Sequence, residues 1–397
     1  MSLFRTALVL GLLSAVGPFA IDLYLPALPN IAASLNSDVA AAQMTLTAYF
    51  VAFGLSQLFY GPWADQVGRK LPLFVGLGVF IGGTVLCALA PSMGALTAGR
   101  FVQGLGGAVL MVVPRAVIRD MHTGTQATKL MAMVMLVISV SPMLAPLVGS
   151  GLIALGSWRL LFWVLAGAAV LSLVLTQVAL PETLPPERRE RVNVAALRRG
   201  AGVLLRDPVF MGLTFIGGFG MASFFVFIAS AAFVYTEQFG LTPTGFSLAF
   251  AINALGFFGA SQAAGWLGER FGIVPLMRWA VTGFAVVTCT LLALALAGLA
   301  SLPVIVAFLF CANACLGLVI PTTMVMALDA HGRMAGLASS LGGTLQMLAG
   351  GVMIGVTGLF FDGTATPMIA AIALCAVGAF VLSRLTLPRL AAQADPV

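Results

Sequence analysis

Long apolar runs recur along the whole chain and alternate with short stretches of glycine, proline and charged residues. Each run holds about 20 residues, enough for a helix to cross roughly 30 Å of bilayer hydrocarbon. The pattern predicts twelve membrane-spanning helices with both termini on one side. The predicted spans lie at about residues 6–29, 41–62, 71–90, 95–118, 128–152, 158–180, 209–235, 245–267, 275–299, 302–325, 334–360 and 366–387.

The composition excludes a water-soluble globule. Of the 397 residues, 60% are hydrophobic and 8% are charged, whereas a soluble domain has about 25% charged residues. We therefore expect an all-α integral membrane protein with twelve transmembrane helices in two six-helix bundles. A long basic connection divides the chain into an N-terminal bundle (1–180), a cytoplasmic linker (181–208) and a C-terminal bundle (209–397).

The distribution of lysine and arginine predicts the orientation in the membrane. These residues gather at the termini and in alternate connections, six of them in the linker. Cytoplasmic connections retain positive charge, so we expect both termini on the cytoplasmic side of the membrane. The net charge of +6 is then explained by topology, and no nucleic-acid partner is expected.

Asp22 is the most informative ionisable residue, because an acid inside the membrane costs roughly 2.5–3.5 kcal/mol and usually marks a pathway or a proton relay. A count along span one places Asp22 about 9 Å from the outer face, and span four places Arg100 at about the same depth. We expect a pair or a water-bridged relay in which Asp22 and Arg100 couple transport to protons. A permanent structural bridge that never titrates is the alternative.

The connection after span two contains an acid and two basic residues between glycines. Glycine, acid and glycine recur after span eight at a constant offset of 204 residues, which indicates a duplicated transporter. Contacts formed here in only one conformation would act as a cytoplasmic latch, whereas the alternative is a basic turn that only fixes topology. The residues in question are Gly61, Asp65, Gly68, Arg69, Lys70 and, in the second half, Glu269.

Three segments resemble motifs of the major facilitator superfamily. Segment 61–73, GPWADQVGRKLPL, looks like the signature of the loop between spans two and three. Segment 100–104, RFVQG, resembles the R-x-x-q-G motif of span four, and Pro-Glu-Thr at 181–183 ends span six as it often does in this superfamily. The resemblance implies the major facilitator fold.

A fourth segment, in span five, is similar to the antiporter motif g-x-x-x-G-P-x-x-G-G. It is carried by Pro142, Pro146 and Gly149, while Ala145 and Ser150 stand where glycines are usual. Small residues still allow helices to approach closely at these positions.

Segments 18–29 and 113–120 look like the bicyclomycin-resistance (Bcr/CflA) branch of drug:proton antiporters. This resemblance implies a proton-coupled multidrug or antibiotic efflux transporter that works by alternating access in a bacterial inner (cytoplasmic) membrane. A proton-coupled importer of a small uncharged metabolite on the same fold is the alternative. Arg119 and Asp120, within the second segment, join the residues expected to form the cytoplasmic gate.

Polar and aromatic side chains inside the spans indicate an amphipathic, drug-like substrate. No catalytic motif is found in the spans, so we expect no enzyme, no cofactor and no metal site. We expect a monomer whose other partners are protons and the lipid bilayer. The residues expected to line the substrate cavity are Tyr24, Tyr49, Phe53, Gln57, Gln103, Phe224 and Asn253.

Overall fold

The computed structural model describes residues 3–122, 124–189 and 193–394, and residues 190–192 of the predicted linker lie outside this part. Throughout the described residues the regular structure is helical, which confirms the predicted all-α membrane fold. The helices are α1 (Leu3–Asp22), α2 (Leu28–Ser34), α3 (Val39–Val67), α4 (Lys70–Ala88), α5 (Met93–Gly107), α6 (Val109–Met121), α7 (Gly124–Leu155), α8 (Arg159–Ala179), α9 (Val194–Arg206), α10 (Pro208–Phe233), α11 (Pro243–Phe271), α12 (Ile273–Leu296), α13 (Leu302–Asp329), α14 (Ala335–Leu359) and α15 (Thr366–Ala394).

Among the described residues, twelve helical segments are long and apolar enough to cross a membrane, as predicted. Nine of these spans are single helices, and three are interrupted. Span one (Thr6–Ser34) combines α1, a 3₁₀ turn at Leu25–Ala27 and α2, and span four (Met93–Met121) combines α5 and α6. Span seven (Pro208–Gln238) continues α10 into a π-helix at Val234–Gln238.

The chain divides into two compact units between Asn193 and Val194. In the first unit, α1 packs on α7, and α5 packs on α3 and α4. In the second unit, α10 packs on α14 and α15, and α11 packs on α13. Helix α9, which lies inside the predicted linker, packs against α10 and α14 and belongs to the second unit.

The repeat offset of 204 residues extends to a whole helix. Helices α3 and α11 each contain 29 residues and begin at Val39 and Pro243. The residue before each helix caps it with a side-chain oxygen, Asp38 onto the N–H of Ala41 and Thr242 onto the N–H of Gly245. The glycine that follows each helix has a positive φ angle, +99° in the first unit and +85° in the second. The two halves therefore share the local geometry that ends span two and span eight.

Candidate functional site

Asp22 is the last residue of α1 and lies where the helix of span one is interrupted. The chain continues through the 3₁₀ turn at Leu25–Ala27, in which Pro26 has no N–H to donate to a helix. Asp22 is buried, with 4% of its surface exposed. Its carboxylate takes part in none of the ion pairs or side-chain hydrogen bonds found among the described residues. Span one therefore presents a buried, unpaired acid at a break in the helix.

Span five packs against this break. Helix α7 has Pro142, Pro146 and Gly149 on its buried face. A Cβ atom at Gly149 would overlap the carbonyl oxygen of Leu23 and lie 3.1 Å from the Cγ atom of Pro26. Only glycine allows this approach, so the predicted antiporter motif contacts the residue that follows Asp22.

Arg100 is fully buried in the same unit, on α5. Its Nη1 atom donates to the carbonyl oxygen of Ala20 at 3.0 Å and to Oε1 of Gln103 at 2.5 Å. The guanidinium lies 4.6 Å from the ring centre of Tyr24 and 4.5 Å from that of Tyr49, and such contacts stabilise a desolvated cation. Its Nε and Nη2 atoms have no hydrogen-bond partner among the described residues.

A chain of hydrogen bonds fixes Arg100 in this position. The side-chain amide of Gln103 accepts from Arg100 and donates to Oγ1 of Thr84 at 2.8 Å, which in turn donates to the carbonyl oxygen of Phe80. Thr84 was not expected from the sequence, because a threonine inside an apolar span usually bonds to its own helix. Its second role, as acceptor for Gln103, depends on the packing of α4 against α5.

The structure does not form the expected direct pair between Asp22 and Arg100. No ion pair within 4.0 Å joins them, and Arg100 instead binds the backbone at Ala20, two residues before Asp22. A count along the two helices estimates the depth of each residue but not the direction of its side chain. In the structure the guanidinium of Arg100 points toward the Ala20 carbonyl and two tyrosine rings. The water-bridged relay remains a prediction.

The connection between α3 and α4 forms a second charged cluster around Arg69. The side chain of Arg69 is 6% exposed, and it donates from Nη1 to Asp65 at 2.5 Å and from Nε to Asp120 at 2.7 Å. Asp120 ends span four, so Arg69 joins the ends of two spans. Thr183, just after span six, adds a hydrogen bond to Asp120 at 3.1 Å.

Glu182 holds the same connection from the other side. Its carboxylate accepts the backbone N–H groups of Arg69 at 2.9 Å and Lys70 at 3.2 Å, at the start of α4, and that of Leu184 at 3.0 Å. Burial opposes ionisation, but these three donors and the charge of Arg189 together outweigh it and hold the pKa of the Glu182 carboxyl below its ordinary value. The sequence identified Pro-Glu-Thr only as the end of span six, and so missed a capping residue that comes from a distant part of the chain.

Gly68 lets Glu182 come this close. Its φ angle of +99° is one that glycine adopts without strain. A Cβ atom at Gly68 would lie 2.6 Å from Oε2 of Glu182. Glycine is therefore required here both by the backbone angle and by the contact.

Where the structure describes the chain, the other residues predicted for the gate add no ion pair to this cluster. Arg119 and Glu269 are exposed and take part in no ion pair among the described residues. Gly61 is partly exposed on α3, and Lys70 donates from Nζ to the carbonyl oxygen of Gln177 at 3.3 Å. Within the described part of the chain, the second half thus repeats the glycine turn of the first half without ion pairs like those of Arg69.

The residues predicted to line a substrate cavity are divided between the two units. Tyr24, Tyr49 and Gln103 surround Arg100 and are buried. In the second unit Asn253 is buried and donates to the carbonyl oxygen of Ala249 on its own helix. The remaining three are Phe53, which stacks on Tyr49, Gln57, which is partly exposed, and Phe224, which is partly exposed and stacks on Phe257.

The second unit contains a polar contact that the sequence did not predict. Asp207 caps the start of α10 by accepting the N–H groups of Val209 and Phe210, and its other oxygen lies 2.8 Å from Nε2 of His331. Burial opposes ionisation of Asp207, but the contact with His331 and the two N–H groups outweigh it and hold the pKa of Asp207 below its ordinary value. This contact ties the start of span seven to the connection before span eleven.

Comparison with known proteins identifies the family. The model of the Major Facilitator Superfamily matches residues 10–354. The chain is 34% identical to the uncharacterized MFS-type transporter YdgK of Bacillus subtilis, over 94% of this chain and 92% of that protein. It is 30% identical to the bicyclomycin resistance protein homolog of Haemophilus influenzae, over 95% and 94%. It is also 30% identical to multidrug resistance protein D of Escherichia coli, over 89% and 88%.

Solved structures show the same fold. A crystal structure of a D-xylose-proton symporter has a TM-score of 0.74 at 18% identity and covers 96% of this chain and 98% of that chain. The xylose transporter XylE of Escherichia coli, in a partially occluded inward open conformation, has a TM-score of 0.73 at 16% identity, over 97% and 98%. The chain belongs to the Major Facilitator Superfamily, and its named relatives agree with the Bcr/CflA branch that the motifs indicate.

Proposed function

We propose that this transporter is a proton-coupled exporter of drug-like molecules, a drug:proton antiporter that works by alternating access in the bacterial inner membrane. The names of its bicyclomycin-resistance and multidrug-resistance relatives support the substrate class. We further propose that it is a monomer with both termini in the cytoplasm. Its two bundles are then residues 1–180 and 209–397, joined by the linker 181–208.

The burial of an unpaired Asp22 is the observation that carries the proposal. An ionised carboxylate without a partner is costly in an apolar surrounding, and binding a proton removes that cost. A residue held permanently in an ion pair has no such reason to exchange protons. Asp22 also lies at the break in span one, where a small movement of the backbone reorients the side chain.

Arg100 supplies a partner for Asp22 after the proton leaves. The Nε and Nη2 atoms form the edge of a guanidinium that binds a carboxylate with two parallel hydrogen bonds. On Arg100 this edge has no partner among the described residues, although the side chain is fully buried. In the proposed cycle, Asp22 takes a proton on the outer side. When the drug enters from the inside, Asp22 releases the proton and its carboxylate turns onto this edge.

The Arg69 cluster is the proposed cytoplasmic gate. It joins the ends of spans two and four, and Glu182 fixes it to the segment after span six. Phe53, Gln57 and Phe224 are the proposed substrate-contacting residues, because each lies inside a span and presents an aromatic or amide group. Pro142, Pro146 and Gly149 hold span five against the proton-coupling site.

Everted membrane vesicles test the proposal directly. With an acidic interior, an exporter accumulates drug inside and releases protons when drug is added, whereas a proton-coupled importer drives its substrate out of the vesicle. Bicyclomycin, phenicols, sulfonamides and cationic dyes form the substrate panel. We expect Asp22→Asn to abolish drug-driven proton release and Asp22→Glu to retain part of it.

Asp38→Asn is the matched control, because Asp38 is an exposed acid that only caps α3. Undiminished proton release in Asp22→Asn would remove Asp22 from the mechanism. Substrate movement in the direction of an importer would overturn export while leaving proton coupling in place.

A further inference from the structure

Helix α9 has an exposed face that combines three arginines with large aliphatic side chains. Its thirteen residues include no acid. Arg198, Arg199 and Arg206 are exposed, and none of them takes part in an ion pair found among the described residues. Val194, Val203 and Leu205 are 72%, 56% and 46% exposed.

The opposite face of α9 is already used. Leu204 is fully buried. Gly200 lies so close to α14 that a Cβ atom there would be 2.7 Å from Leu337 and 3.5 Å from the sulfur of Met334. The helix is therefore fixed on the protein by one side, and its arginines and exposed aliphatic residues point away from that contact.

The position of α9 places this face at the level of the membrane surface. The helix ends two residues before Pro208, where span seven begins, and it packs against the start of span eleven at Ala335. At 100° per residue, Val194, Arg198 and Leu205 share one edge of the helix, while Val203 lies near Arg199 on the other. Aliphatic side chains thus flank the arginines on both sides.

From these observations we propose that α9 is a docking surface for anionic phospholipids at the membrane surface. Lipid phosphate groups neutralise Arg198, Arg199 and Arg206, and the acyl region next to the headgroups covers the aliphatic residues. A helix with basic and aliphatic groups on its free face binds in this way at a bilayer surface. A soluble partner would explain the charge but not why the aliphatic residues lie level with the ends of two spans. This inference is independent of the transported substrate and of proton coupling.

Hydrogen exchange of the full-length protein in nanodiscs tests the proposal. Discs of phosphatidylcholine are compared with discs in which a third of the lipid is phosphatidylglycerol. We expect the amides of residues 194–206 to exchange at least about fivefold more slowly with phosphatidylglycerol, the factor that corresponds to one arginine near an anionic surface. The variant with Arg198→Gln, Arg199→Gln and Arg206→Gln should lose this difference.

The control variant replaces three exposed arginines outside α9, with Arg270→Gln, Arg278→Gln and Arg384→Gln. It should keep the slow exchange of residues 194–206. All six side chains are exposed, so we expect both variants to fold, and unchanged exchange in the membrane spans verifies this. Equal exchange in the two lipids, or slow exchange retained in the α9 variant, would overturn the proposal. So would the same slowing caused by inorganic phosphate in phosphatidylcholine discs, because that result assigns the arginines to a small anion.

Discussion

The carbonyl oxygen of Leu23 lies directly against Gly149. This contact connects the antiporter motif of span five to the residue that follows the buried acid of span one. Small residues let membrane helices approach to backbone contact, and here the approach occurs at a break in the partner helix. Any rearrangement of the break that reorients Asp22 must therefore involve span five.

We predict that Gly149→Ala impairs both packing and transport. The added methyl group overlaps the Leu23 carbonyl, and overpacking of this kind costs about 1–3 kcal/mol. Gly151→Ala is the matched control, since no atom lies within 4 Å of a Cβ atom at Gly151. The unfolding temperature in detergent and the rate of drug efflux should both be lower in Gly149→Ala. Both should stay unchanged in Gly151→Ala. Equal behaviour of the two variants would mean that spans one and five can separate without cost.

A second prediction concerns Tyr49, which supports the guanidinium of Arg100 through its ring. Among the residues described, its hydroxyl has one hydrogen bond, a long one of 3.4 Å to the carbonyl oxygen of Gly17. Tyr49→Phe keeps the ring and should retain most of the efflux. Tyr49→Leu removes the cation–π contact, worth about 2 kcal/mol when desolvated, and should reduce drug-driven proton release at least about tenfold. Similar losses in both variants would point to the hydroxyl instead.

The sequence predicted the fold because membrane spans are a matter of length and hydrophobicity. It also predicted the matching glycine turns after spans two and eight, since these depend on local backbone angles that glycine favours. The break after Asp22 was missed, because span one was placed by hydrophobicity, which does not reveal a 3₁₀ turn; the signal in the sequence is Pro26.

The site was predicted only in part, because contacts between distant residues leave little trace in the sequence. The sequence predicted Arg100 for proton coupling and Tyr49 for the substrate cavity. Their contact depends on how spans two and four are rotated against each other, which the sequence does not reveal. Glu182 was identified only as part of the segment that ends span six. The backbone N–H of Arg69, which it accepts, is more than a hundred residues away in the chain. Motifs therefore identified the residue types, and packing decided their partners.

A third prediction distinguishes the structural role of Glu182 from that of another acid in the linker. Glu182→Ala removes the oxygens that accept the N–H groups of Arg69 and Lys70, a loss comparable to that of a helix cap, about 1 kcal/mol. We expect faster hydrogen exchange in the peptide that contains these two amides, together with reduced efflux. Glu187→Ala removes an exposed acid from the same linker and should change neither. Exchange at wild-type rates in Glu182→Ala would show that another acceptor replaces the carboxylate.

The last prediction is a pH dependence that belongs to Glu182. Its pKa in the folded protein is below the ordinary value of 4.5, because three backbone N–H groups and the charge of Arg189 together outweigh burial and favour the ionised form. A lowered pKa stabilises the folded protein above the ordinary value, and this contribution is lost as the pH falls through the folded pKa. The difference in thermal stability between the wild type and Glu182→Gln should therefore be constant from about pH 7 to pH 5 and should shrink below about pH 4. A difference that grows on acidification would mean that the carboxyl is protonated in the folded protein and binds these amides in another way.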